Sequence, residues 1–227
     1  MASVHFSVAV VGAGPAGSSC AMTLAQHGTT GVALIDRARF PRDKPCGDGI
    51  GPGAVQMMNK LGLGDRLSAH IPIKYLSVSG PSGVKAKGLL PPVGDSRPVG
   101  YTIPRLTFDN YITQSALAFG AADLTGNQLE GAVFVDGRWT LTLKNTVTSD
   151  KTTATADVLI GSDGARSRVR RVLGVAMNSD RHTGTAVRIY ADSSDASFDA
   201  LQIDFDRYLL PAYGWLFPID THEPTSE

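Results

Sequence analysis

Between two short apolar runs, Val8-Ala9-Val10-Val11 and Val32-Ala33-Leu34-Ile35, lies the turn Gly12-Ala13-Gly14-Pro15-Ala16-Gly17. Glycines at this spacing suit the holding of a pyrophosphate. Gly12 allows a tight turn, Gly14 lets the backbone approach phosphate oxygens, and Gly17 lets the next helix pack close to a sheet. That helix offers unpaired amides and the positive end of its dipole to an anion. Asp36 stands 19 residues beyond Gly17, where a carboxylate can accept the hydroxyls of an adenosine ribose. The same carboxylate repels a 2′-phosphate, and Arg37 alone does not reverse that. FAD and NAD both remain as nucleotides for the site.

These residues need a strand, a helix and a second strand to position them, and the pattern supplies all three. Residues 8–11 and 32–36 read as buried parallel strands, joined by a helix that runs to about His27 and is capped by Gly28. From Arg37 to Gly53 the chain is rich in proline and glycine and has no periodicity, as functional loops often are. Helical spacing resumes from Ala54 to Leu61, and alternation from about Pro72 to Pro92 predicts short antiparallel strands. A helix is expected from about Arg105 to Phe119. Residues 128–135 and 139–143 flank Asp136-Gly137, a strong hairpin signal. Val158-Leu159-Ile160 reads as a strand entering Gly161-Ser162-Asp163-Gly164 and a basic helix to Leu173. Strands are expected at Thr185–Ala191 and Leu201–Phe205. Tyr213–Ile219 carries Gly214, Trp215 and Pro218, and residues 220–227 carry no pattern.

Composition narrows the function classes. Apolar residues make up 42% and charged residues 19%, a globular rather than a disordered balance. Twenty-one basic residues offset twenty-one acidic ones, so no overall field favours nucleic acid. No apolar run reaches transmembrane length, and no lysine or arginine precedes Val8–Val11 to make that run a signal peptide. The two cysteines, Cys20 and Cys46, are not at metal-ligand spacing, so no metal site is expected. A reducing, cytoplasmic setting is the simpler expectation.

Four segments occur in order: the glycine turn, Phe40-Pro41-Arg42-Asp43-Lys44-Pro45-Cys46-Gly47-Asp48-Gly49, Gly161-Ser162-Asp163-Gly164-Ala165-Arg166-Ser167, and Tyr213-Gly214-Trp215-Leu216-Phe217-Pro218. Together they resemble the geranylgeranyl reductase family of FAD-dependent oxidoreductases, within the p-hydroxybenzoate-hydroxylase-like flavoproteins. The second and fourth segments are the more specific to the reductases. The resemblance implies an α/β, Rossmann-type FAD-binding fold with an interleaved, mainly antiparallel β portion for the substrate. It divides the chain into FAD-binding parts at 1–71 and 101–175 and substrate-domain parts at 72–100 and 176–227.

Carried over by residue, the resemblance assigns Gly12, Gly14, Pro15, Ala16 and Gly17 to the FAD pyrophosphate and Asp36, with Arg37 beside it, to the adenosine end. Cys46 and Gly47 would lie against the cofactor, Arg105 would steady its phosphate and ribityl region, and the backbone of Leu129 would meet adenine. Asp163 and Gly164 form the Asp-Gly motif that serves FAD and nicotinamide binding in hydroxylase relatives. The implied reaction reduces carbon–carbon double bonds of a prenyl chain, with NAD(P)H as a possible reductant and Cys46 as the candidate proton donor. Such substrates reside in membranes, so peripheral association is compatible with the absence of a spanning run.

Each assignment has a plainer alternative: Cys46 as a small packing residue, Arg105 as a solvated helix-start arginine, Asp163 as a helix N-cap. The cluster Arg166, Arg168, Arg170 and Arg171 reads better as a solvated helix face, and Trp215 and Phe217 as core. A flavin monooxygenase or halogenase is the rival activity. A non-catalytic FAD-binding remnant is a third reading. Relatives carry a later Gly-Asp segment that closes over the ribityl chain and flavin. It does not follow Tyr213-Gly214-Trp215 here, so a C-terminally truncated, poorly FAD-binding chain is expected.

Overall fold

The computed structural model describes residues 4–93, 99–192 and 199–219. In chain order the elements begin β1 (Val4–Val11), α1 (Pro15–Gln26), β2 (Val32–Asp36), β3 (Gly49–Ile50), α2 (Pro52–Lys60) and α3 (Asp65–Ser68). Next come β4 (Pro72–Ile73), β5 (Tyr75–Ser79), β6 (Lys85–Leu89), β7 (Gly100–Thr102), α4 (Arg105–Ala118) and β8 (Ala122–Thr125). The series ends with β9 (Asn127–Val135), β10 (Arg138–Asn145), β11 (Lys151–Gly161), α5 (Arg168–Val172), β12 (Ala200–Asp204) and β13 (Gly214–Leu216). They form two compact units that alternate along the chain: Met1–Asp43 with Leu106–Thr185, and Lys44–Arg105 with Ala186–Glu227.

The first unit is built on a six-stranded sheet of order β8-β2-β1-β11-β10-β9. β8, β2, β1 and β11 are mutually parallel, and β10 and β9 run antiparallel beyond them. Val8 pairs with Val32 and Val11 with Ile35, so the two apolar runs that flank the glycine turn are neighbouring parallel strands. Val8–Val11 and Val32–Ile35 are buried without alternation, as strands covered on both faces must be. β11 alternates instead: Ala154 and Ala156 point into the core with Leu129, Leu141 and Leu143. α1 ends where Gly28 takes φ +82° and the amides of Gly28 and Thr29 return to the carbonyls of Ala25 and Leu24, a Schellman stop. Asp136 and Gly137 both take positive φ between β9 and β10, as a tight hairpin turn requires.

In the second unit, β13-β12-β5-β6 form one sheet and β3-β7-β4 another. Every pairing in them is antiparallel except β12 with β5. Ile73, Leu90 and Leu201 are its buried centre, with Leu76 and Phe217 against them. The α/β, Rossmann-type fold with an interleaved, mainly antiparallel portion is therefore present. The strand expected at Thr185–Ala191 is not: that segment is irregular. Its alternation is real, but Arg188 and Tyr190 turn to a buried carboxylate while Val187 and Ile189 stay 80% and 81% exposed. Among the described residues no helix is long and apolar enough to cross a membrane.

Candidate functional site

In the first unit the glycine turn is fixed from several sides. The Gly12 amide donates to the Ile35 carbonyl at 2.7 Å, and the Ala13 amide to Asp36 Oδ2 at 2.8 Å. The Ala13 carbonyl accepts from Ser18 Oγ at 2.9 Å and from Thr113 Oγ1 at 2.8 Å, both side chains being fully buried. Ser162 closes the last side, its amide and hydroxyl both donating to the Val11 carbonyl. A cradle held this way can meet an anion with little reorganisation.

The three glycines are required for different reasons. Gly12 has φ +104°, and a Cβ there would lie 2.3 Å from the Ser162 carbonyl oxygen. A Cβ on Gly17 would lie 1.7 Å from the Gly12 oxygen. Protein packing alone explains both. At Gly14 the nearest atom to such a Cβ is the end of the Arg42 side chain, at 3.4 Å, and no backbone lies within 4 Å. Gly14 is also the N-cap of α1, Pro15 follows it, and no side chain caps the first turn. Among the described residues no side chain accepts from the amides of Ala16 and Gly17, which is what a dinucleotide phosphate needs. The residues present fit FAD at this point.

The other expected residues of this unit are placed as follows. Asp36 ends β2, with one oxygen accepting from Ala13 and the other from the Ala38 amide at 2.8 Å. Each oxygen keeps a lone pair for a ribose hydroxyl. Arg37 is exposed beside it. Leu129 is buried on β9 next to an irregularity in pairing, where Thr142 faces Gly131 but Leu143 faces Leu129. Such a bulge leaves Glu130 out of the ladder. The Asp163 carboxylate accepts from Ser167 Oγ and from the amides of Arg168 and Val169, and Ser167 in turn accepts from the Arg170 amide. Asp163 therefore caps the start of α5, while Gly164 is exposed at φ +79°.

Cys46, Gly47 and Arg105 belong to the second unit. A Cβ on Gly47 would meet Phe217 at 2.8 Å and Trp215 at 3.1 Å, and one on Gly49 would meet Phe217 at 3.1 Å. The Lys44–Gly49 and Tyr213–Pro218 segments are thus in direct contact, and Thr102 Oγ1 donates to the Pro218 carbonyl. Tyr213 stacks at an angle between Phe205 and Trp215, with ring centroids 5.6 and 6.3 Å away. Cys46 is half-buried, and both it and Cys20 are free thiols; burial pushes the Cys20 thiol up.

Sequence reasoning missed the centre of this region, Asp48. It is 2% exposed, with φ 58°. Its carboxylate accepts from the Arg105 amide at 3.1 Å, Tyr190 Oη at 3.0 Å and Arg188 Nη1 at 3.3 Å, and its carbonyl from the Ile103 amide. Burial raises its pKa, while Tyr190, Arg188 and the Arg105 amide pull the other way. Its place two residues after Cys46 was the only available signal. Ser18 and Thr113 gave none, because a single hydroxyl in a helix has no distinctive spacing, and Ser162, though inside the Gly161–Ser167 segment, was given no role there. Among the described residues no three His, Cys, Asp or Glu side chains are grouped to hold a metal.

Over residues 5–212 the sequence matches the family described as FAD binding domain. It is 38% identical over 221 residues to the menaquinone reductase of Mycobacterium tuberculosis (strain ATCC 25618 / H37Rv), covering 95% of this chain and 53% of that protein. It is 28% identical over 218 residues to the geranylgeranyl diphosphate reductase of Rhodobacter capsulatus, covering 95% and 52% respectively. A flavoprotein/dehydrogenase structure from Cytophaga hutchinsonii superposes with a TM-score of 0.78 at 17% identity, over 94% of this chain and 53% of that one. The chain spans about half the length of the curated relatives it matches.

Proposed function

The chain belongs to the FAD binding domain family, and on that premise we propose that it is the FAD-holding part of an oxidoreductase that reduces double bonds in an isoprenoid chain. Gly12, Gly14, Pro15, Ala16 and Gly17 hold the pyrophosphate, Asp36 and Arg37 the adenosine end, and the Leu129 backbone the adenine. Arg105, Asp163 and Gly164 serve the phosphate and ribityl side. When bound, FAD supplies two-electron chemistry, taking electrons from a reductant such as NAD(P)H and passing hydride to carbon. The residues of the chain orient the cofactor, keep water from the reacting carbon and, at Cys46 Sγ, hold a proton for the second alkene carbon.

The observation that carries this reading over a hydroxylating one is the contact of Trp215 and Phe217 with Gly47 and of Phe217 with Gly49. It brings together the two segments whose resemblance to the reductases is the more specific, the first of which carries Cys46. Relatives named for menaquinone and geranylgeranyl diphosphate support an apolar, isoprenoid or quinone class of substrate. On this reading the protein is cytoplasmic and meets its substrate peripherally at the membrane.

The test uses the purified chain, alone and fused to the C-terminal part of the mycobacterial relative. Each is given FAD, NADPH and a prenylated lipid without oxygen, and the products are weighed. A mass gain of two hydrogens supports the reading. A gain of one oxygen, seen only in air and coupled to NADPH oxidation, replaces it with a monooxygenase. Bound FAD with no turnover by the fused protein favours the non-catalytic remnant.

A further inference from the structure

The turn that follows Cys46 is held twice. Gly47 and Gly49 lie against aromatic rings, so closely that a Cβ on Gly47 would meet Phe217 at 2.8 Å and Trp215 at 3.1 Å. Between them the Asp48 side chain, 1% exposed, accepts from Tyr190 Oη at 3.0 Å and from Arg188 Nη1 at 3.3 Å. Arg188 is itself only 10% exposed, and its guanidinium lies over the Tyr190 ring, 4.2 Å from the centroid. The two side chains thus reach the carboxylate as one stacked unit, from 140 residues further along the chain. The amides of Ile103 and Arg105, at the junction of β7 and α4, bind the carbonyl and the carboxylate of the same residue.

Stability alone does not call for this arrangement. Two charges taken out of water lose hydration that their attraction roughly offsets, and an apolar pair of similar volume does as well or better. Burial keeps the Asp48 carboxyl above its ordinary range even among these donors. The backbone at Asp48 is also left-handed, with φ 58°. That conformation costs free energy for a residue with a Cβ, and it persists where the surroundings over-determine the backbone. Directional donors around a carboxylate do what an apolar contact cannot, which is to fix both its place and its orientation. Cys46 stands two residues before Asp48, no more than about 7 Å away between Cα atoms. With Asp48 pinned and Gly47 pressed on the rings, the backbone at Cys46 has little freedom left.

We propose that Asp48 and Arg188 are positioning residues for the Cys46 thiol, with Tyr190 as the ring that aligns Arg188. The purpose rests on the reading of Cys46 as the proton-holding thiol, whereas the placement can be tested without turnover. The irregular path of residues 185–191 then has a use, since its polar side chains are committed to the turn beside Cys46.

The test uses the full 227-residue chain with Cys20→Ala and Trp139→Phe, which leaves Cys46 as its one thiol and Trp215 as its one indole. Arg188→Met alone strands a buried carboxylate and can cost the fold. The informative variant is therefore Asp48→Asn with Arg188→Met, which removes both charges together. Circular dichroism checks folding, and urea unfolding measures stability. The expected result is a native spectrum, alkylation of Cys46 by iodoacetamide about 10-fold faster, and Trp215 emission at longer wavelength as Gly47 leaves its ring. The control for general loosening is the parent chain in enough urea to match the variant's stability. If that control reacts as fast and its emission moves as far, the proposal is overturned. A folded double variant with parental alkylation and emission overturns it too. If the double variant does not fold, Asp48→Asn decides by the same two readouts, because asparagine also tolerates a left-handed backbone. Faster alkylation with shifted emission at parental stability supports the proposal, and no change in either refutes it. Double-bond reduction by the fused protein that survives Cys46→Ala overturns the reading of Cys46, while alkylation and emission still decide the placement.

Discussion

Gly14→Ala and Gly17→Ala place the same methyl three positions apart, and the structure predicts opposite consequences. At Gly17 the new carbon would sit 1.7 Å from the Gly12 carbonyl oxygen and 2.8 Å from Ser162 Oγ. Ordinary carbon contacts begin near 3.5 Å, so relief needs a shift of about 2 Å. The backbone cannot give that much, because the Gly12 amide is bonded to Ile35 and Ser18 is bonded to Ala13. Overpacking of this kind costs about 1–3 kcal/mol or more, and the better helix propensity of alanine returns about 1 kcal/mol, leaving a net loss of roughly 2 kcal/mol. At Gly14, φ −70° and ψ −171° suit alanine as well as glycine. The poorer N-cap and the stiffer unfolded chain roughly cancel, so stability changes by less than about 0.5 kcal/mol. On the proposed placement of the diphosphate, FAD binding reverses the order, since the methyl at Gly14 fills the phosphate approach and removes at least one charge-assisted hydrogen bond, about 1.5–3 kcal/mol. Urea unfolding in a Trp215→Phe background lets Trp139 report on the first unit, and flavin fluorescence reads binding. A Gly14→Ala chain that binds FAD like wild type, or a Gly17→Ala chain that unfolds at the wild-type midpoint, refutes the reasoning.

Three further outcomes follow. Asp36→Asn turns an amide N–H₂ toward one of the two backbone amides that Asp36 now accepts, costing about 1–3 kcal/mol and weakening FAD binding together; a melt and a titration both unchanged would count against it. Asp48 carries a raised pKa through burial, so the native state holds a proton that the unfolded chain has already released. Stability then falls as pH rises from the ordinary carboxylate range through the raised value and levels above it, and Asp48→Asn flattens that slope in urea midpoints measured across pH. An opposite slope is incompatible with the burial argument. Cys20, its thiol pushed up by burial, is expected to alkylate slowly at neutral pH and faster as pH climbs in a Cys46→Ser background; rapid neutral labelling of the folded chain excludes this.

Much of the fold was legible because continuous apolar runs and glycine turns are local signals. β1, β2, the Gly28 stop and the Asp136-Gly137 hairpin all reflect residues within a few positions of one another. Less legible was whatever depends on distant partners. Lys151–Asp157 looked like nothing in particular, yet it forms most of an eleven-residue strand because β10 and β1 pair with it from either side. Thr185–Ala191 had the right alternation, but its polar face is committed to Asp48 rather than to a neighbouring strand. In the cradle, the glycines and Asp36 announced themselves. The hydroxyls of Ser18, Thr113 and Ser162 did not, because only the folded chain brings them to the turn.

The pairing of β1 also constrains how the chain is made. Val4 is in register with Ala154 and Val11 with Gly161, so β1 waits for a strand synthesised about 150 residues later. At roughly 5–20 residues per second that wait is about 8–30 s. Ala200 pairs with Tyr75 in the same parallel fashion, so each unit needs a late strand before its early ones are covered. Neither sheet can be completed during synthesis in strand order, and both are slow, non-local closures. The nascent chain therefore presents unpaired apolar strand edges until those late strands arrive.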